Sequence, residues 1–231
     1  MNEKITEALQ WRYAVKKFDA TKSISVEDLQ TLKDSIRFAP TSYGLQPFKA
    51  IFIDDETLRE QLKEKAWGQT QVTDASQLVV FVAQKSINNA DVDAYMQNVA
   101  DARKITIEQT KGFGDYIKGS IAPMSEEQFI PWNTKQTYIA LGMLLQTAAE
   151  LRIDATPMEG FDTAAFDELL GFNDDKIALN EILNAIEICI NTYEMQNLNL
   201  PVEYKIKDVS SRIIRVIQSY TSIINKVTWN K

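Results

Sequence analysis

The run Leu78-Val79-Val80-Phe81-Val82-Ala83 constrains this chain more than any other feature. Successive side chains of an extended segment point to opposite faces, so a strand that is apolar at every position needs cover on both sides. The run therefore predicts a strand inside a sheet with further structure packed on each face. Residues 49–54 read as a second strand. Cover can come from the strongest helical pattern in the chain, Thr134 to Leu151. There Tyr138, Leu141, Leu145 and Ala148 mark one face, and alanines and a glycine permit close packing. That helix is expected at the centre of the core.

Capping and breaking residues place the other elements. Ile5, Ala8 and Leu9 recur at helical spacing and predict a short first helix that closes before Trp11-Arg12-Tyr13. Ser25 followed by Asp28 has the form of a capping box with the shorter acid, and Leu29, Leu32 and Ile36 then share a face up to Pro40. Thr41-Ser42-Tyr43-Gly44 is accordingly a loop that begins where a helix ends. The polar stretch from Ala90 to Ser125 predicts a helix over Asp91 to Lys111, then glycines at 112, 114 and 119 in an exposed excursion or lid. Asp154 to Phe161 is a short segment containing Pro157-Met158-Glu159-Gly160, and Asp162 can cap a helix that stops at Gly171. Farther on, Leu179, Ile182, Leu183, Ile186 and Ile190 fit a helix, while Ile186, Ile188 and Ile190 alternate as in a strand, so both readings stand. Asp208 can cap a last helix whose apolar stripe is Val209, Ile213, Val216, Ile217, Tyr220 and Ile224.

Composition removes several classes of function. The 231 residues contain no histidine and a single cysteine, Cys189. An internal disulfide, the usual zinc ligand sets and every Ser-His or Cys-His nucleophile are thereby excluded. A net charge of -7 argues against nucleic acid as a partner. No apolar run approaches the roughly 18 residues of a membrane span, and Met1-Asn2-Glu3-Lys4 lacks the basic-then-apolar order of a secretory signal. A cytoplasmic protein is the expectation. The charge is uneven: residues 177–231 hold six Lys/Arg and five Asp/Glu, a net of +1, against -8 for the remainder. This contrast predicts a main unit over residues 1–176 and a C-terminal segment, 177–231, built to a different pattern.

With those nucleophiles absent, the informative residues are ones suited to an anionic, planar ligand. Arg12 and Lys16 lie four apart, close enough to reach one phosphate, as they also would in a solvated basic patch. Thr41, Ser42 and Gly44 offer hydroxyls and accessible backbone N–H groups suited to a phosphate or ribityl chain, or form a plain turn. Gly160 permits close approach of a ligand with Glu159 beside it; the same pair would serve a strand-end turn. Gln69 and Gln71 can present amides to the edge of a heterocycle, or face solvent.

Four segments then carry a resemblance. They are Arg12-Tyr13-Ala14-Val15-Lys16-Lys17-Phe18-Asp19, Ala39-Pro40-Thr41-Ser42-Tyr43-Gly44-Leu45-Gln46-Pro47-Phe48, Gln69-Thr70-Gln71-Val72-Thr73-Asp74-Ala75-Ser76, and Pro157-Met158-Glu159-Gly160-Phe161-Asp162. In this order they resemble the oxygen-insensitive NAD(P)H nitroreductases and dihydropteridine reductases, over about residues 3 to 175. Four ordered motifs are far more specific than a lone glycine fingerprint. The resemblance implies an α+β fold with a central, mostly antiparallel sheet flanked by helices. It also implies a homodimer with FMN at the subunit interface, and NAD(P)H as the co-substrate. Arg12, Tyr13, Ala14 and Lys16 would belong to the phosphate segment, Ala14 standing where relatives usually carry Ser. Pro40, Thr41 and Ser42 match a Pro-Ser-Ser motif, with Gly44 where Asn is common. Gln71 takes the position facing the pyrimidine edge of the flavin, with Gln69 nearby. Pro157, Met158, Glu159 and Gly160 match the segment beside flavin N5, where the Gly160 N–H makes the central contact. No catalytic acid–base side chain and no metal is implied, and the acceptors would be nitroaromatics, quinones or similar flat electrophiles.

After Gly171-Phe172 the pattern departs. The strand of valines, the Gly-Tyr-Arg-like turn and the Lys-x-Arg pair of the family are not visible in 177–231, and Lys205, Lys207, Arg212 and Arg215 lack their surroundings. Two other readings follow from that departure. One is an FMN-binding protein whose turnover is impaired because the C-terminal FMN and dimer motif is absent. The other is an interaction module in the tail. The stripe from Val209 to Ile224 is too long to leave exposed and its segment too short to bury it alone, which predicts a helical tail packed on the partner subunit.

Overall fold

A computed structural model describes residues 2–172 together with the strand 185–190. The chain divides after Thr192, and residues 193–231 lie outside the described part, as do the expected Val209–Ile224 helix and Lys205, Lys207, Arg212 and Arg215. Among the described residues four strands form one antiparallel sheet. They are β1 (Phe48–Ile53), β2 (Gln77–Ala83), β3 (Ile153–Met158) and β4 (Ala185–Ile190), in the order β1-β2-β4-β3. Ile51 of β1 lies opposite Val80, and Ile188 of β4 lies opposite Gln77 on one side and Ala155 on the other.

The helices in chain order are α1 (Asn2–Trp11), α2 (Val26–Arg37), α3 (Glu56–Lys65), α4 (Gln71–Asp74), α5 (Asn89–Arg103), α6 (Ile107–Ile121), α7 (Glu126–Glu150) and α8 (Thr163–Leu170). They cover β2 on both faces. Val79 and Phe81 pack with Leu32 and Ile36 of α2 and Leu141 and Leu144 of α7. Leu78, Val80 and Val82 point the other way, into Leu62 of α3, Val72 of α4 and Phe166 of α8. The α+β architecture and the central place of α7 thus follow from one strand with no polar face. A third cluster of Ile87, Val92, Met96, Ile117, Ile121 and Phe129 ties α5 and α6 to the start of α7. No helix among the described residues is long and apolar enough to cross a membrane.

Caps behave as the sequence predicts, with one variation. The Ser25 hydroxyl oxygen accepts from the Asp28 N–H at 3.0 Å, while the shorter Asp28 carboxylate takes the Ser25 O–H at 2.9 Å. Asp162 accepts from the Ala165 N–H at 3.1 Å, and Gly171 closes α8 in the left-handed conformation at φ 74°.

Elsewhere the structure corrects the pattern. In place of one helix and a glycine-bearing lid, residues 89–121 form two helices, and Gly112, Gly114 and Gly119 all lie inside α6. At Gly114 a Cβ would sit 3.0 Å from Met96 Cγ, so the missing side chain lets α6 lie close on α5. Helix α7 begins at Glu126, well before Thr134, and accommodates Pro131. Charged residues hide α3, whose buried face is Arg59 and Leu62, and α4 is a single turn too short for a period to show. Of the two readings of 179–190, the strand holds for Ala185–Ile190. The sheet therefore extends past the boundary at residue 176 that composition suggests. The reason is backbone accounting: β2 is interior, and the groups along its second edge need a strand to pair with.

Asp154 sits half-buried on β3, and loss of hydration pushes its carboxyl up from the ordinary 3.8 to about 6. Between those values the folded chain binds more protons than the unfolded one, so stability falls as pH rises from about 4 to 6 and stays lower above. Asp154→Asn should remove this penalty, raising stability at pH 8 by about 1 kcal/mol after allowance for solvent screening, with no gain at pH 3.5. Urea unfolding of both proteins at the two pH values measures the difference; an equal change at both would disprove the assignment.

Candidate functional site

Strand β3 brings the first and last motifs together. The hydroxyl of Thr156, 1% exposed, donates to the Val15 carbonyl, and buried Val15 plugs the same segment into the core. This fixes the backbone between Arg12 and Lys16. Arg12 is half-buried at the end of α1, Lys16 is exposed, and neither has an ion-pair partner among the described residues. Tyr13 is exposed and Ala14 half-buried between them. At the far end of β3, Pro157 and the buried Met158 lead into Glu159 and Gly160.

The second motif is tied to α7. From Pro40 the chain enters a 3-10 turn over Ser42–Gly44, and the Ser42 N–H donates to the buried Gln136 Oε1 at 2.9 Å. The Gly44 N–H meets the Thr41 carbonyl at 2.9 Å, the Leu45 N–H the Ser42 carbonyl at 3.2 Å, and the Gln46 N–H the Thr41 hydroxyl oxygen at 3.0 Å. These N–H groups, expected from the sequence to face a ligand, are thus engaged within the protein, and the Ser42 and Thr41 side chains are what the loop can offer. The turn borders a cleft of about 270 Å3 shared with Tyr43, Ser120, Ile121, Met124 and Trp132. Gly44 is held to glycine by its surroundings. Its φ is +79°, and a Cβ there would lie 2.2 Å from the Tyr95 hydroxyl, so α5 occupies the space a larger residue would need.

The third motif closes on the fourth. Gln69 Nε2 donates to the Gly160 carbonyl at 2.8 Å and to the Ala66 carbonyl at 3.0 Å. Its amide therefore steadies Gly160 and points inward, where the sequence suggested a heterocycle edge. The Asp162 N–H donates to the Lys65 carbonyl at 2.9 Å, a second tie between the same segments. Trp67, 72% exposed, lays its ring so close to Gly160 that a Cβ would meet Cζ3 at 2.7 Å. Gln71, 8% exposed, opens α4. The Glu159 carboxylate accepts from the Tyr138 hydroxyl on α7, two positions beyond Gln136. With its carbonyl bound by Gln69, the Gly160 N–H has no acceptor among the described residues.

Gln136, Thr156 and Trp67 were not singled out from sequence, and Tyr138 was read only as part of the packing face of its helix. A signal for the first existed: Asn133, Thr134, Gln136 and Thr137 interrupt the apolar face of the best helix, and all four are buried. Buried polar side chains in a core helix are there to make specific hydrogen bonds.

The fold is a helix-wrapped antiparallel sheet in which strand β3 and its exit meet the first, third and fourth motifs, while α7 holds the second. A profile of the nitroreductase family matches residues 9–180. A Staphylococcus aureus (strain USA300) protein provisionally named an NAD(P)H nitroreductase is 36% identical over 174 residues, 74% of this chain and 78% of its own length. A Bacillus subtilis structure provisionally described as a nitroreductase matches with a TM-score of 0.73 at 19% identity, covering 90% of this chain and 99% of that one. One from Exiguobacterium sibiricum, described in complex with FMN, has a TM-score of 0.69 at 17% identity over 88% and 96%. The chain belongs to the nitroreductase family.

Gly44→Ala should destabilise the fold by about 1–3 kcal/mol, from the left-handed backbone and the displaced Tyr95 hydroxyl. Urea unfolding followed by tryptophan fluorescence reads the loss, and an unchanged midpoint would mean that Tyr95 yields freely.

Proposed function

We propose that this protein is an FMN-dependent oxidoreductase that takes hydride from NAD(P)H and passes it to nitroaromatics, quinones or similar flat electrophiles. The observation that carries the reading is the Gly160 peptide: its carbonyl is held by Gln69 while its N–H is left to donate, where the third and fourth motifs meet. Fixed backbone donors of this kind stabilise a ring that becomes electron-rich, without any proton-transferring side chain. A site in a chain with no histidine works on those terms.

The remaining residues fit the same group. Arg12 and Lys16 would hold the phosphate, and Arg suits it by its paired donors. The hydroxyls of Thr41 and Ser42 would face the ribityl chain, and the buried Gln71 amide the pyrimidine edge. When bound, FMN supplies the hydride exchange itself. The exposed ring of Trp67 beside Gly160 offers a flat apolar surface, which favours planar acceptors.

A homodimer is part of the reading. Helix α1 exposes Ile5 and Leu9, and α7, which packs against α1, exposes Ile139 and Met143, each pair at i, i+4. A second copy of this chain is the occupant we assign to these faces, as in the dimer that the motifs imply. Leu9→Lys with Ile139→Lys should halve the mass seen by light scattering, and a mass unmoved by both changes, or a monomeric parent, counts against it.

The purified protein should be yellow, and anaerobic NADH or NADPH should bleach it. Arg12→Ala should weaken FMN binding by roughly 1.5–3 kcal/mol, the range for a charge-assisted hydrogen bond. Flavin bands absent after incubation with excess FMN would sink the proposal, and bound flavin that neither nucleotide bleaches would reduce it to FMN binding.

A further inference from the structure

Helix α4 should not hold its shape unaided. It is one turn long, its N-cap residue Thr70 is itself in the helical region, and no side chain caps it there. Isolated turns of this length are far below the size at which helices persist, and the carbonyls at a helix end need donors from elsewhere. The donors come from Arg59 of α3. Its Nε donates to the Val72 carbonyl at 2.8 Å and its Nη2 to the Ala75 carbonyl, so one planar group bridges the turn and its exit. Arg59 is 6% exposed. Burying a guanidinium is unfavourable, and an aliphatic side chain would fill the same volume with less desolvation, so its presence points to a need for the donors.

Those donors hold the carbonyls of Val72 and Ala75, and Gln71, the first residue of α4, directly precedes Val72 and accepts the Ala75 N–H on its own carbonyl at 3.2 Å. A neutral amide recognises a ring edge by direction, because its N–H and C=O must face the matching groups. A small rotation of α4 would turn that match away. We propose that Arg59 is a positioning residue for the flavin, holding α4 so that the Gln71 amide keeps its aim at the pyrimidine edge. This rests on the FMN reading of the site given above.

The test uses the full chain with FMN as the probe, in the parent, Arg59→Lys, Gln71→Leu and the double variant. Dissociation constants come from flavin fluorescence, midpoint potentials of bound FMN from dye equilibration, and Tm from the apoproteins. Lysine keeps the charge but lacks the fork that reaches both carbonyls. Arg59→Lys should raise the FMN Kd about tenfold, the weight of one charge-assisted bond, and move the midpoint potential in the same direction as Gln71→Leu. In the Gln71→Leu background the same change should alter Kd by less than about threefold, since nothing is left to aim. Arg59→Gln, which retains amide donors, replaces the lysine variant if that one does not fold. A lower Tm with Kd and potential at parental values overturns the proposal, as do effects of the two substitutions that multiply. Gln71→Leu without effect on a protein that still binds FMN removes the Gln71 role and the Arg59 role with it. A parent that binds no FMN overturns the broader reading instead.

Discussion

Burial of β2 on both faces is the constraint on which the rest depends. A strand with Leu78, Val80 and Val82 on one side and Val79 and Phe81 on the other cannot meet water on either, so it demands two layers of cover. One layer is α2 with the long α7, and the other is α3, α4 and α8. The site is a product of this division. Strand β3, held in the sheet by β4, carries Thr156 towards the segment of Arg12 and Lys16 and ends at Met158, two residues before Gly160. Helix α7 reaches the second motif through Gln136 from one layer, and Gln69 reaches Gly160 from the other. Segments distant in sequence are thereby tied to the sheet and its cover, the first, third and fourth through β3 and its exit and the second through α7.

Different physical signals account for what was legible beforehand. Strands and helices with a full period or a strong cap could be read directly: β2, α2 with Ser25, α8 between Asp162 and Gly171. The ordered motifs pointed to the family, which the match over residues 9–180 shows, and through it to the candidate site residues. Helix α3 was hidden because its buried face includes an arginine, which reads as surface until its acceptors are known. Strand β4 was ambiguous because isoleucines at alternate positions also satisfy part of a helical stripe. The inward turn of Gln69 and the exclusion of a side chain at Gly44 rest on Ala66, Gly160 and Tyr95 as neighbours in space, and no local pattern encodes those.

Polar satisfaction explains how amides can replace charges here. Gln136 uses both ends of its side chain, accepting from Ser42 and donating to the Trp132 carbonyl at 2.9 Å, while Gln69 uses its nitrogen twice. Each is therefore locked in one orientation. A locked neutral amide transmits position from one element to the next with little dependence on salt or pH, whereas an exposed ion pair is screened and contributes little. The ion pairs of Lys22 with Asp19, Lys63 with Glu60, Lys118 with Asp93 and Arg152 with Glu7 lie outside these links.

Backbone strain follows the same geography. Among the described residues, the non-glycine residues with positive φ are Tyr43, Gln46, Trp67, Lys104 and Arg152. Lys104 ends a helix and Arg152 turns the chain from α7 into β3, where a left-handed residue is an ordinary device. Tyr43, Gln46 and Trp67 lie in the two site loops, and each such conformation costs about 1–2 kcal/mol. Nearby bonds offset it. Gln46 is anchored by its N–H to Thr41 and by its Nε2 to the Arg37 carbonyl at 2.7 Å, and the turn at Trp67 is closed by the Gly68 N–H on the Lys63 carbonyl at 2.9 Å. Dedicated hydrogen bonds that offset this strain keep each of the two loops in one conformation, which relaxed backbone would not require.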